Sequence, residues 1–374
     1  MIRSTLYRVA AIVALASISF SLTPALADDK PADAQAYEQA VQKAIGFLRK
    51  NQAADGSFTA ATGPAVTALV TTAVLESGRT ADDPVVAKAL KFLEGFIQPD
   101  GGVYQPKSQH RNYETCIAIQ CLAAANRDGR YDKQLKAADH FVKGLQWDEG
   151  EQRSIDDPNY GGAGYGRSER PDLSNTSFLI DALKAAGNSP QDEAMQRALI
   201  FVSRCQNLES PHNTTKFAAK NPDGGFYYTP AAGGTSQAGA TPEGGLRSYG
   251  SMTYAGLKSM IFAGVNSDDP RVKAAFNWIQ QHYSLDENPG MADAGLYYYY
   301  NTFGKALEAM KIDQFIDSKG NKHDWRAELR DAVIKRQQAD GSWLNKNARW
   351  MEGDPNLVTG YALLTLSHCK PAKK

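Results

Sequence analysis

One turn recurs along this chain, each time where a helix-periodic segment ends. Its fullest copy is Arg336-Gln337-Gln338-Ala339-Asp340-Gly341-Ser342-Trp343. Residues 324–338, which lead into it, carry apolar positions at helical spacing. Asp-Gly then reverses the chain, because glycine reaches positive φ without steric cost and aspartate bonds its own backbone nearby. Near copies lie at Asn51–Phe58, Gln98–Tyr104 and Asn221–Tyr228. A turn that returns between helices marks a repeat architecture, in which each unit buries its apolar face against its neighbours.

Between the turns the chain reads as six helix pairs. They are 36–49 with 64–75, 84–97 with 113–125, 131–146 with 175–186, 191–206 with 249–262, 270–282 with 297–310, and 324–338 with 357–369. First members carry their charges on one face and read as solvent-facing; second members are apolar nearly all round and read as buried. Asp82-Asp83-Pro84 and Asp268-Asp269-Pro270 open two of the outer helices, with an acidic cap and a proline pre-set for the first turn. An open solenoid needs polar capping units at both ends, and the first and last pairs here look like ordinary members. The pattern predicts an all-α fold, an (α/α)6 toroid of six helical hairpins with inner and outer rings.

The Q-x-x-D-G-S-W turn and the helix pattern around it resemble the squalene cyclase and prenyltransferase repeat superfamily, from about Ala36 to Cys369. The carboxy-terminal half looks most like the corresponding region of squalene–hopene cyclases. The resemblance implies that Gln338 closes an outer helix while Trp343 packs on it, a structural clasp. It also implies a terpene-cyclase-like protein that takes an apolar isoprenoid into its central cavity, with protonation-initiated isomerisation or cyclisation as the resembling reaction. Two hallmarks of that superfamily are missing. No D-x-D-D string occurs, since Asp82-Asp83, Asp156-Asp157 and Asp268-Asp269 each lack the leading aspartate. In Tyr113-Glu114-Thr115-Cys116, Glu114 stands where a prenyltransferase zinc-ligating histidine would be. The six histidines show no ligand spacing either, so neither a metal nor another cofactor is expected. A non-catalytic ligand-binding or interaction toroid and a carbohydrate-active toroid enzyme are the two alternatives.

Composition narrows the partners. Formal net charge is +0 and basic clusters are missing, which argues against a nucleic-acid interface. Arg3 and Arg8, the apolar run from Val9 to Leu22 and Ala25-Leu26-Ala27 have the form of a signal peptide with its cleavage site. Residues 1–27 are therefore expected to direct export, leaving 28–374 as one periplasmic or secreted domain without a transmembrane span, though free to touch a membrane surface. Cys116, Cys121, Cys205 and Cys369 are too few for a disulfide scaffold, and buried thiols are the simpler reading.

Links from outer to inner helices are mostly long, as in 98–112, 147–174, 207–248 and 284–296. In a toroid these emerge on one rim, beside the amino termini of the inner helices, and long loops on a rigid scaffold tend to carry function. That rim is the expected site. Its acid candidates are Glu352, Asp293 and Glu114, with Glu287 as a partner in a carbohydrate-type pair. Four consecutive tyrosines cannot share one helical face, and the inward ones are expected to be Tyr297 or Tyr300, with Asn301. Together with Tyr254, Trp350 and Tyr228 they supply aromatic faces for a ligand or a carbocation. Lys258, Lys305 and Glu308 lie inside apolar inner helices, where a charge must pair or meet water, so they predict a polar cavity. Tyr160–Arg167, a glycine-aromatic loop, lacks the strand-then-helix context of a phosphate loop.

Overall fold

A computed structural model describes residues 31–166 and 170–371. The proposed leader and Arg167 of the glycine-aromatic loop lie outside the described residues. Among the described residues twelve α-helices run in chain order: α1 Pro31–Asn51, α2 Pro64–Glu76, α3 Pro84–Glu94, α4 Arg111–Ala125, α5 Asp132–Lys143, α6 Leu173–Ala185, α7 Glu193–Arg204, α8 Gly250–Phe262, α9 Pro270–Gln281, α10 Leu296–Ala309, α11 Trp325–Ile334 and α12 Pro355–Ser367. The even-numbered helices form the inner ring. Each packs on the next even-numbered helix, and α12 packs on α2, so the ring closes. The odd-numbered helices lie outside, and α1 meets α11 to close the outer ring as well.

The sequence pairs each outer helix with the inner helix that follows it. Tertiary packing favours the other grouping, with α3 on α2, α5 on α4, α7 on α6 and α9 on α8, while α1 seats on α12. Short connections explain this, because they hold consecutive inner and outer helices side by side. One connection of that kind is longer than the rest. Residues 310–324 between α10 and α11 carry a small hairpin, Phe315–Ile316 paired antiparallel with Lys322–His323, which the sequence pattern did not reveal.

The recurrent turn staples the outer ring. Gly341 has φ 94 and passes under α1, where a Cβ would lie 2.4 Å from the Lys43 carbonyl oxygen. Gly56, Gly101, Gly161 and Gly224 sit in the same way under α3, α5, α7 and α9. Gly161 is a further copy, stretched by an insertion after Gln146, and it gives the glycine-aromatic loop a structural task. A glutamine amide accompanies most copies: Gln337 Nε2 donates to Gly341 O and to Ala40 O at 2.9 Å, and Gln52, Gln146 and Gln206 repeat the bridge. The bridging amide is thus that of Gln337, while Gln338 holds the turn itself: its side chain accepts from the Ser342 hydroxyl, its backbone N–H donates to Ser342 O and its carbonyl accepts from Gly341 N. Trp343 does pack back as expected, its indole N–H donating to Val333 O at 2.8 Å. Its backbone N–H donates to Thr359 of α12, and Thr67, Thr115, Thr176 and Thr253 take the equivalent bond from the other copies. Each turn therefore ties two outer helices to one inner helix.

All four cysteines are buried and unbridged. No described helix is long and apolar enough to cross a membrane.

Candidate functional site

The ring encloses a cavity of about 600 Å³, and it opens at the end opposite to the expected one. Its walls come from the middle and carboxy-terminal parts of the inner helices: Leu69 and Thr72 of α2, Ile117 and Gln120 of α4, Phe178 and Asp181 of α6, Asn301 and Lys305 of α10, Tyr361 and Leu364 of α12. Glu76, Glu308, His368, Lys370 and Arg326 stand at its mouth, on the rim of short connections. One turn toward the amino termini, aromatic rings cross the bore. Tyr113 meets Phe178 at 5.1 Å, Phe178 stacks on Tyr298 at 6.1 Å, and Tyr298 meets Tyr361 at 6.0 Å. This layer stands between the cavity and the long loops.

Helix phase decides which tyrosine points inward. Tyr298, Asn301, Lys305 and Glu308 share one face of α10, consistent with 3.6 residues per turn, and that face looks into the ring. Tyr300 faces the other way: its hydroxyl donates to Leu285 O, the Arg336 guanidinium lies over its ring, and Tyr297 packs edge-on against it. Tyr297 and Tyr300 thus do not line the cavity, and Tyr298 takes the place expected for them. Tyr254 is also directed away, buried against Tyr299 and Phe303.

The acid candidates all sit at the long-loop rim, away from the cavity. Glu352 is buried and caps α10, whose own N-cap residue is Gly295. Its Oε1 accepts from the backbone N–H groups of Tyr297 and Tyr298, both at 2.9 Å, and its Oε2 accepts from Asn345 Nδ2 at 2.6 Å. Burial pushes its carboxyl up to about 7, against the pull of those hydrogen bonds. Glu114 is buried as well and pins the preceding loop, accepting from Gln105 N at 2.7 Å and from the Ser108 hydroxyl; burial raises its carboxyl too. Asp293 is exposed and accepts from Asn347 Nδ2. Trp350 is half-exposed under Arg349, and Tyr228 lies beneath Arg170, both on the same rim. Asn345 Nδ2 also donates to the Asp293 carbonyl oxygen at 2.7 Å and Trp350 lies against Gly295, so Glu352, Asp293 and Trp350 gather at this rim, but none of these residues lines the ring cavity.

The charges inside the inner helices do meet. Lys258 is 1% exposed and its Nζ donates to Asp181 Oδ1 at 2.5 Å and to Ser177 Oγ at 2.7 Å. Lys305 reaches the other oxygen, Oδ2, at 2.7 Å. Burial would raise Asp181, but the two ammonium groups hold it below the usual carboxylate range. Burial lowers Lys258 to about 8, with Asp181 pulling the other way. Asp181 escaped the sequence reading, although the signal that marks Lys258 and Lys305, a charge inside an apolar helix, marks it equally. Nearer the mouth, Glu308 bonds His368 Nδ1 at 2.6 Å, and this contact lowers its carboxyl.

Asp172 was also overlooked. It caps α6 through Asn175 N at 2.9 Å, and burial lifts it to about 6. It opens Asp172-Leu173-Ser174-Asn175, which has the D-x-D-D spacing with one aspartate of the three.

The squalene-hopene cyclase C-terminal domain family matches residues 59–229. The match covers the first and central parts of the chain and leaves out most of the carboxy-terminal half to which the motif resemblance points. No curated protein matches. Among solved structures, the apo type II terpene cyclase MstE from Scytonema is similar with a TM-score of 0.52 at 14% identity, over 90% of this chain and 99% of that one. A family 76 glycoside hydrolase from a bovine Bacteroides thetaiotaomicron strain is similar with a TM-score of 0.53 at 10% identity, over 88% and 78%. At such identities the structural likeness concerns the fold. The chain is squalene cyclase-like in sequence over residues 59–229 and terpenoid cyclase-like in its helical toroid.

Proposed function

We propose that the protein binds an isoprenoid-type apolar chain in the ring cavity and does not cyclise it by protonation. The observation that carries this reading is the composition of the bore. Apolar and aromatic side chains, Leu69, Ile117, Phe178, Tyr361 and Leu364, line its inner wall, with the polar Thr72, Gln120 and Asn301 between them. An apolar guest gains roughly 25 cal/mol for each Å² it buries there. The two carboxylates nearest such a guest, Asp181 and Glu308, are held ionised by Lys258, Lys305 and His368. Neither is tuned as the proton donor that cyclisation or glycoside cleavage requires. The carboxyls that burial does raise, Glu352, Glu114 and Asp172, are occupied with backbone N–H groups at the other end of the ring. Export with cleavage near Ala27, and a single mature domain over 28–374, belong to the same proposal and rest on the residue pattern of the chain.

The test is native mass spectrometry of the purified protein, followed by solvent extraction of what co-purifies. One isoprenoid lipid per chain is the expected result, lost when Ile117→Trp fills the bore. A protein that ignores squalene and farnesol but binds oligosaccharide would overturn the reading.

A further inference from the structure

Two lysines in and behind the cavity wall share one carboxylate, and a third stands near them without one. Lys258 and Lys305 take the two oxygens of Asp181. Lys184 follows Asp181 on α6 and lines the same cavity. Its Nζ sits 4.4 Å over the Phe262 ring, which Lys258 approaches at 5.6 Å. Among the described residues Lys184 has that aromatic face as its neighbour and no carboxylate in ion-pair contact. One aspartate cannot balance three ammonium groups, so the wall carries surplus positive charge: Lys258 and Lys305 hold theirs where water screens it poorly, while Lys184 stands exposed at the opening.

Two other sources of compensation fall short. The carbonyl ends of the inner helices favour cations, but their field fades within the last turn. It reaches Lys184, in the last turn of α6, whereas Lys258 and Lys305 lie more than a turn from the ends of α8 and α10. At the mouth, Glu308 is engaged by His368 and feels Arg326 and Lys370 nearby, while Arg326 itself pairs with the exposed Asp313 and Lys370 bonds the Glu76 backbone carbonyl. Exposure then separates the roles. The Lys305 side chain is 25% exposed and reachable from the cavity, while Lys258 is sealed behind Asp181.

We propose that Lys184 and Lys305 form an anion site in the ring, which receives the carboxylate or phosphate head of an amphipathic ligand whose apolar chain lies against Leu69, Ile117, Phe178 and Leu364. Lys258 is a positioning residue that fixes Asp181 and does not touch the ligand. The inference rests on the isoprenoid reading of the cavity and adds the chemistry of the head group and the direction of entry, chain first through the short-connection rim.

Calorimetric titration of the full protein at low salt, with farnesol, farnesoic acid, farnesyl monophosphate and inorganic phosphate as probes, tests it. At least one of the two farnesyl anions is expected to bind ten-fold or more tighter than farnesol, and the tighter of them identifies the head group. Lys184→Met, which breaks no ion pair, is expected to remove most of that preference and leave farnesol affinity unchanged; Lys305→Met, checked for folding by circular dichroism, should do the same. Farnesol binding as tightly as both anions, or an undiminished preference in Lys184→Met, overturns the anion site and leaves the isoprenoid reading standing. Phosphate binding as tightly as farnesyl monophosphate, with farnesol inert, supports the anion site and overturns the isoprenoid reading. Silence of all four probes overturns both.

Discussion

The two ends of the ring hold their charges in opposite ways. At the long-loop rim, where the inner helices begin, the carboxylates face backbone N–H groups. Glu352 caps α10, Asp172 caps α6 and Asp354 caps α12, while Glu114 holds a loop amide. At the short-connection end, where the same helices finish, lysines gather and meet a side-chain carboxylate. Parallel alignment of the inner helices accounts for both, since helix amino termini attract anions and carboxy termini attract cations. The first end has used up its charge on backbone. The second has charge left over, and it is the end with the cavity.

Substitutions at each end can break that contrast. The largest loss is expected from Asp181→Ala, which strands Lys258 and Lys305 without a counter-charge; about 3–5 kcal/mol should disappear in chemical denaturation. Glu352→Ala should cost about 1–3 kcal/mol, because it leaves two helix N–H groups and Asn345 unsatisfied, yet ligand retention in the folded fraction should not change. An equal loss of ligand in both variants would erase the distinction between the ends.

Titration sharpens the comparison. Burial raises Glu352 from 4.5 to about 7, so the folded state holds a proton that the unfolded chain releases. Its contribution to stability is full below pH 4.5 and is lost as pH rises through 7, and Glu352→Gln should flatten that decline in a series of melts. Lys258 behaves oppositely, being lowered from 10.5 to about 8. The unfolded chain binds the extra proton between those values, so this group adds stability as pH rises from 8 to 10.5. Over pH 7 to 9 the same deprotonation removes positive charge behind Asp181, and affinity for farnesoic acid should fall a few-fold while that for farnesol holds. The smallest effect belongs to Asp293→Ala at the exposed rim, within about 0.5 kcal/mol of the parent in denaturation and without change in binding.

Local chemistry made the repeat legible. Asp-Gly turns, proline-led outer helices and apolar inner helices define six units, and the same residues give the positive-φ glycines and caps that the structure displays. A buried charge inside an apolar helix was legible too, since it needs a partner wherever it lies; Lys258 and Lys305 announced a polar interior before Asp181 was seen to answer them. Other site features depend on neighbours distant in sequence. Glu352 looks unemployed along the chain because the helix it caps begins at Leu296, far upstream. Tyr297 to Tyr300 differ only in angular phase, and a run of four identical residues carries no mark of which one faces the bore.

The sequence by itself determined the toroid, because turn geometry and helix amphipathicity are set by residues close together in the chain and repeat with it. Tertiary structure alone decided which rim opens. Loop length places the long connections beside the amino termini, but the bore is shaped by side chains from six helices at once. Aromatic rings from α4, α6, α10 and α12 cross it at one end, and lysines from α6 and α10 leave it polar and open at the other.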